Sequence, residues 1–213
     1  MATVRKLKEG EAKAAPVRLL PLKLASFAVT VRGTSPLVCH RFSQKVAQEM
    51  LEKQQKRARQ GRPIRDPQRE FLDSLYVMPG SVAGEDKARY GIPASHFTLA
   101  MIGAARWSDL KMTRIRGTFR VLPDSGDLVE LKYDKLSMRQ DAVTVNKGMS
   151  RDLRFRGQFD GWSCKLKIMY NSSAITPEII VNLLQVAGFS GGIGEMRPSQ
   201  GCSGNYGCFE VVA

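Results

Sequence analysis

Two stretches of strict two-residue alternation do most to limit what this chain can fold into. In "LASFAVTVR", residues 24–32, Phe27, Val29 and Val31 share one face and Ser26 and Thr30 the other. In "SCKLKIMY", residues 163–170, Cys164, Leu166 and Ile168 oppose Lys165 and Lys167. Alternation of this kind makes strands with one dry face and one wet face. A sheet built from them needs helices on one side only. The sequence supplies them. "TPEIIVNLLQVAG" has Thr176 as N-cap, Pro177 in the first turn and Glu178 at the positive end of the dipole. Ile179, Ile180, Leu183, Leu184 and Ala187 then point inward, and Gly188 is expected as the C-cap. "YGIPASHFTLAMIGAARW" runs extended to Pro93 and then turns helical from Pro93 or Ser95, with Phe97, Ala100, Met101 and Ala104 on its apolar face.

The remaining segments fill in around these. "SQKVAQEMLEKQQKRARQ" reads as a helix capped by Ser43, with Val46, Ala47, Met50 and Leu51 on one stripe, ended by Gly61. "DPQREFLDSLY" repeats the device with Asp66 and Pro67, then Phe71, Leu72 and Leu75. "RIRGTFRVL" and "DLVELKY" read as strands on either side of a Pro123-Asp124-Ser125-Gly126 turn, 134–160 reads as irregular and polar, and "YGCFEVV" is the last strand. The resulting order is an elaborated β-α-β-β-α-β pattern, which is an α+β fold of the ferredoxin-like or RNA-recognition-motif-like kind. At 213 residues with 43% hydrophobic content, the chain fits one domain. Residues 1–22 read as a flexible basic tail, and 23–213 as the domain, with insertions at about 43–78 and 134–160.

A net charge of +13 sets the class of partner, since so large an excess favours a polyanion. The excess concentrates in three places. Residues 53–65, "KQQKRARQGRPIR", include Lys53, Lys56, Arg57 and Arg59 and no acid. "RIRGTFR" carries Arg114, Arg116 and Arg120, expected along one strand face. "KGMSRDLRFR" carries Lys147, Arg151, Arg154 and Arg156 around Phe155. Charge that tracks a backbone, with a ring to stack on bases, is what a single-strand groove needs. Arg41 follows the first strand and joins the set.

Other chemistry finds little footing. The four cysteines, at 39, 164, 202 and 208, form no paired metal-ligand spacing, and only His40 and His96 accompany them. They read as reduced thiols. No metal, cofactor or catalytic constellation is expected, and no apolar stretch approaches membrane-spanning length. A cytoplasmic setting follows, in a bacterial cell or a phage-infected host. The glycine-rich stretch "GFSGGIGEMRPSQGCSGNYGCFEVV", 188–212, lies between a helix and a strand. Gly192 and Gly194 allow positive φ and close backbone approach, exposed N–H groups bind anions, and Arg197 adds charge, so the loop is expected to pack against a nucleic-acid strand.

Two motifs carry a family resemblance. Gly192-Ile193-Gly194, Arg197 and Gly204-Asn205-Tyr206-Gly207 resemble the C-terminal glycine-rich loop of the RAMP superfamily, the repeat-associated proteins of CRISPR effector complexes. Ile92, Pro93, Ser95 and Arg106 resemble that family's "IPxSSLKGxxR" helix start, although its lysine and glycine are replaced here. The resemblance implies a modified RNA-recognition fold and backbone subunits that polymerise along a guide RNA. It also implies a thumb at 134–160 and a helical insertion at 43–78. The chain is short for such a subunit, and "GTSPLVCHRFS" lacks the aspartate that target-cleaving members carry. The sequence is also similar in style to phage-encoded proteins, which implies a binder that acts alone.

The expected function is non-catalytic binding of single-stranded DNA or RNA with low sequence specificity, as a homo-oligomer or filament along the strand. Two alternatives stay open. One is a RAMP-type endoribonuclease using His40 or His96. The other is a phage structural or interaction protein with an acidic partner.

Overall fold

A computed structural model of the chain describes residues 21–42, 44–55, 64–145, 150–200 and 204–212. In chain order its elements are β1 (Leu24–Gly33), β2 (Leu37–Cys39), α1 (Gln44–Gln54), α2 (Pro67–Asp73), β3 (Gly91–Pro93), α3 (Ala94–Ala104), α4 (Met112–Ile115), β4 (Phe119–Leu122), β5 (Leu128–Glu130), β6 (Lys135–Val145), β7 (Ser150–Asp160), β8 (Ser163–Asn171), α5 (Pro177–Val186) and β9 (Phe209–Val212). The main sheet is antiparallel, in the order β4-β8-β1-β9. Its strands are second, third, first and fourth along the chain, with α3 between the first pair and α5 between the second. That is the ferredoxin-like arrangement. The segments between β1 and α3, and between β4 and β8, carry two smaller sheets, β3-β5 and β2-β7-β6.

The alternation in β1 and β8 explains the core. Val31 pairs with Cys164, Val29 with Leu166 and Phe27 with Ile168, so the apolar residues line up across the ladder. Val31, Leu166 and Ile168 are fully buried. α5 sends Ile180, Leu183 and Leu184 onto this face, and α3 sends Phe97, Met101 and Ala104. The opposite face holds Thr30 against Lys165 and Ala28 against Lys167, with Arg120 on β4; no aromatic ring stands among its residues. Trp162 locks the end of the sheet. It is fully buried, its indole N–H donates to the Ser35 carbonyl at 2.8 Å, and its ring stands edge-on to Phe209 at 6.2 Å. Gly33 faces that ring, and a Cβ there would lie 2.1 Å from the indole nitrogen.

Several details depart from the sequence reading. Residues 134–160 are regular, since β6 and β7 pair over eleven residues from Lys135↔Asp160 to Val145↔Ser150. Arg114 and Arg116 do not share a strand face with Arg120, because 112–115 is the short helix α4 and only Arg120 lies on β4. β4 and β5 belong to different sheets. Gly188 caps nothing, because α5 runs on into a π turn over Ala187–Gly191 that ends at Gly192. Thr176 stands at the N-cap without a side-chain cap bond. Met50 and Leu51 of α1 are exposed, where a core-facing stripe was expected. α2 behaves as read, with the Asp66 carboxylate accepting from the Arg69 amide. The proposed Ser43 cap, the Gly61 stop and residues 1–20 lie outside the described residues. No described helix is long and apolar enough to cross a membrane.

Replacing Trp162 by Ala removes a buried ring with a satisfied N–H. It should lower unfolding stability by roughly 3–5 kcal/mol. Urea denaturation should show the loss as a lower midpoint at unchanged slope.

Candidate nucleic-acid interface

The glycine loop folds onto the chain itself. The Glu195 amide donates to the Val38 carbonyl at 2.8 Å, and the Gly207 amide to the Pro36 carbonyl at 2.8 Å. Thr34 N–H donates to the Cys208 carbonyl at 2.9 Å. Gly194 has φ +74°, and a Cβ there would lie 2.5 Å from the Val38 carbonyl oxygen. Gly207 has φ +66°, with the Ile193 carbonyl 1.9 Å from its would-be Cβ. Positive φ at Gly194, and at Gly192 with φ +63°, is what the glycine-rich sequence led us to expect; Gly207 was not singled out. The close approach, however, is to the protein's own backbone. Gly192 and Gly194 are both buried. Arg197 works inside the loop as well: its guanidinium donates to the Gly194 carbonyl at 2.5 Å and to Ser199 Oγ at 3.2 Å.

The β6–β7 hairpin meets this loop through charge. Register sets two faces. Arg139, Asp141 and Val143 of β6 stand with Arg156, Arg154 and Asp152 of β7; Gln140, Ala142 and Thr144 stand with Phe155, Leu153 and Arg151. At the foot of the charged face, the Arg156 side chain is only 6% exposed. Its guanidinium lies 3.6 Å from Asp141 Oδ2 and 3.9 Å from Glu195 Oε2. Arg139 donates to Asp141 Oδ1 at 2.8 Å and to Gln158 Oε1 at 3.1 Å. Arg139 also lies over the Tyr206 ring, 4.5 Å from its centroid. His40 Nδ1 completes the group, 3.8 Å from Glu195 Oε1. One carboxylate from the loop thus meets a cation from the hairpin and an imidazole from the segment after β2.

Arg65, in the 43–78 insertion, also reaches the hairpin. It donates to Glu70 at 2.7 Å, to Asp152 at 2.8 Å and to the Leu153 carbonyl, and it covers the Phe155 ring at 5.8 Å. The bond from Arg65 holds the Asp152 carboxyl below its ordinary value. Leu75 packs against Gly157, where a Cβ would lie 2.1 Å from its δ-methyl.

The two histidines, far apart in sequence, share a neighbourhood. The Tyr76 ring stands edge-on to His96 at 6.2 Å. Burial, with the Arg197 charge acting in the same direction, holds the His96 imidazole below its ordinary 6.5; Glu195 and Asp127 oppose the shift. Cys39, beside His40, is fully buried, and burial pushes its thiol up to about 12, so it is inert at neutral pH. Among the described residues no group of three His, Cys, Asp or Glu is placed to hold a metal.

The sequence-predicted site residues therefore separate. Arg156, Gly192, Gly194 and Arg197 come together at the joint of hairpin and loop, with Arg154 and Arg151 further out on the hairpin, Phe155 on its opposite face and Arg41 next to His40. Arg114, Arg116 and Arg120 lie at the β4 edge of the sheet, opposite β9, about 14 Å across by strand spacing. Lys53 is exposed on α1. Lys56, Arg57, Arg59 and Lys147 lie outside the described residues. Sequence reasoning missed Arg139, Asp141, Glu195 and Arg65, whose partners are distant in sequence and leave no local pattern.

No protein-family profile and no curated protein sequence matches the chain. Among solved structures it is similar to the crystal structure of Cmr6 from Pyrococcus furiosus, with a TM-score of 0.43 and 11% identity over 90% of this chain and 100% of that one. It is also similar to a chain of the cryo-EM structure of the Type III-B Cmr-beta bound to cognate target RNA, with a TM-score of 0.45 and 13% identity over 90% of this chain and 60% of that one. The ferredoxin-like assignment itself follows from the strand order.

Two outcomes follow. Asp141→Ala leaves the buried Arg156 guanidinium with Glu195 alone, and it should cost roughly 3–5 kcal/mol in a denaturant titration. For His96, the unfolded chain takes up the proton first as pH falls, so its contribution to stability is complete above 6.5 and is lost below it. The melting temperature of wild type should therefore fall between about pH 7.5 and about pH 5, and by less in His96→Gln. Equal falls in both proteins would place the acid loss elsewhere.

Proposed function

We propose that this protein binds single-stranded nucleic acid along the joint between its β6–β7 hairpin and its glycine loop, without cleaving it and with low sequence preference. Copies align along the strand, each hairpin reaching toward the next copy. The observation that carries the reading is the hairpin itself. Its two eleven-residue strands, about 37 Å long, carry Arg151 and Arg154 outward from a foot fixed to the body by Arg156. A chain with a net charge of +13 has a polyanion as its natural partner, and the hairpin's arginines give that charge a direction.

The open face of the sheet supports the same location. RNA-recognition modules of this fold stack bases on sheet aromatics. Here that face presents Ala28, Thr30, Lys165 and Lys167, and no ring. Base stacking has to be found elsewhere, and two rings flanked by a cation, Phe155 and Tyr206, stand on the hairpin and the loop. The roles within the joint differ. Arg156, Arg197, Gly192 and Gly194 shape the surface from inside, whereas Arg41 and Arg151 are offered to phosphates, and Arg154, 3.5 Å from Asp152, joins them from a partly exposed ion pair. Lys147, which follows β6 in the sequence and lies outside the described residues, is grouped with them by charge alone.

Each single-strand phosphate contact contributes about 0.7 to the slope of log affinity against log salt. Replacing Lys147, Arg151 and Arg154 by Ala should flatten that slope by about 2. Fluorescence anisotropy of a labelled oligonucleotide, as RNA and as DNA, across a salt series measures it. Wild type that fails to bind either strand would end the reading, and an unchanged slope in the triple variant would remove the hairpin from it.

A further inference from the structure

Every aromatic ring of this chain is described, and all but four belong to the apolar core or pack against it. The four are Phe42, Trp107, Phe189 and Tyr206. Phe42, Trp107 and Phe189 are 60%, 75% and 85% exposed. Tyr206 differs, because it is half-buried and held against a cation instead of against apolar side chains.

We infer that Tyr206, held by Arg139, is a stacking seat for a nucleobase of the bound strand. The inference rests on the single-strand reading above and names the group that receives a base. Three features of the seat are in place. First, the backbone that carries the ring is tied down. Its backbone N–H donates to the Met196 carbonyl at 3.3 Å, and the next amide, of Gly207, donates to the Pro36 carbonyl at 2.8 Å. Second, the cation against it is fixed too. Arg139 is held by Asp141 and Gln158, so the guanidinium keeps its position 4.5 Å from the ring centroid without help from a ligand. A ring and guanidinium already in place lose little freedom when a base arrives, which is where preorganised sites gain affinity. Third, the seat stands where a strand would pass. Arg139 is on the hairpin face that carries Arg154 one register step further out, so a backbone following that face arrives at Tyr206 at its foot.

Phe155 is the competing ring. It is covered by Arg65 on one side and packs against the core, and it stands on the hairpin face opposite to Arg139. It therefore serves to fix the hairpin, and the base goes to Tyr206.

The test uses the full chain and a short single-stranded oligonucleotide carrying one internal 2-aminopurine and a terminal fluorophore, in ribose and deoxyribose forms. Tyr206→Phe keeps the ring and should bind within about twofold of wild type. Tyr206→Leu should bind about 5–100-fold more weakly at every salt concentration with the salt slope unchanged, because stacking is insensitive to salt. The 2-aminopurine emission should be quenched on wild type and on Tyr206→Phe, and not on Tyr206→Leu at saturation. Trp107→Leu, which removes a free ring outside the joint, should behave as wild type. Equal affinity and equal quenching for Tyr206→Leu and wild type would overturn the seat while leaving single-strand binding intact. A flat wild-type anisotropy would instead end the reading beneath it. Should Tyr206→Leu fail to fold, Tyr206→Trp gives an independent readout: its added indole emission must be quenched on binding, and an unquenched indole in a bound complex overturns the inference.

Discussion

A guanidinium almost wholly removed from water, between carboxylates from two distant parts of the chain, is what the functional face depends on. Arg156 belongs to β7, Asp141 to β6 and Glu195 to the glycine loop. The distances, 3.6 and 3.9 Å, make these Coulombic pairs more than hydrogen bonds, and Arg156 Nε and Asp141 Oδ2 have no hydrogen-bond partner. A buried set of this kind contributes little net stability, since desolvation offsets the attraction. Its consequence is geometric. The two pairs tie the foot of the hairpin to the loop, where the arm leaves the body. Arg139 and Tyr206 inherit their positions from it.

The glycines act on the same geometry from the backbone side. Gly194 and Gly207 let the loop lie against 34–39 and against itself at distances no side chain permits. This brings Glu195 beside Val38 and sets its carboxylate between Arg156 and His40. The ferredoxin-like sheet supplies the platform, because β9 follows the loop and pairs with β1, whose end leads directly into β2. Trp162 and Phe209 fill the space beneath that junction. A chain of dependence thus runs from the sheet core, through the loop, to the arm.

The central sheet and its helices were legible because their residues sort by polarity at the right period. Phe27, Val29 and Val31 announce a strand, and Ile180, Leu183 and Leu184 a helix. The hairpin was not legible on that basis. On β6 and β7 the alternation is between ions and neutral residues: Arg139 and Asp141 against Gln140 and Ala142, Arg154 and Arg156 against Phe155 and Leu153. A reader looking for apolar alternation passes over it, although Val143-Thr144-Val145 before Asn146-Lys147-Gly148 is a strand-and-turn signal. The arginines at 114 and 116 misled in the opposite sense, because spacing alone cannot distinguish a strand face from a helical turn that precedes a strand. The glycine loop was half legible. Its positive φ values and close approach followed from composition, but the surface approached was the chain's own backbone. Glu195 pairs with groups at positions 40 and 156, and no local pattern carries such a pairing.

Hydrogen exchange measured by mass spectrometry, on the full chain with and without saturating single-stranded oligonucleotide, tests most directly whether hairpin and loop form one binding surface. The account predicts that peptides from 150–160 and from 191–207 gain protection together, while exchange over β8 and α4 stays as in the free protein. Protection confined to β8 and β4, with the hairpin and loop unchanged, would contradict it and move the binding surface to the open face of the sheet.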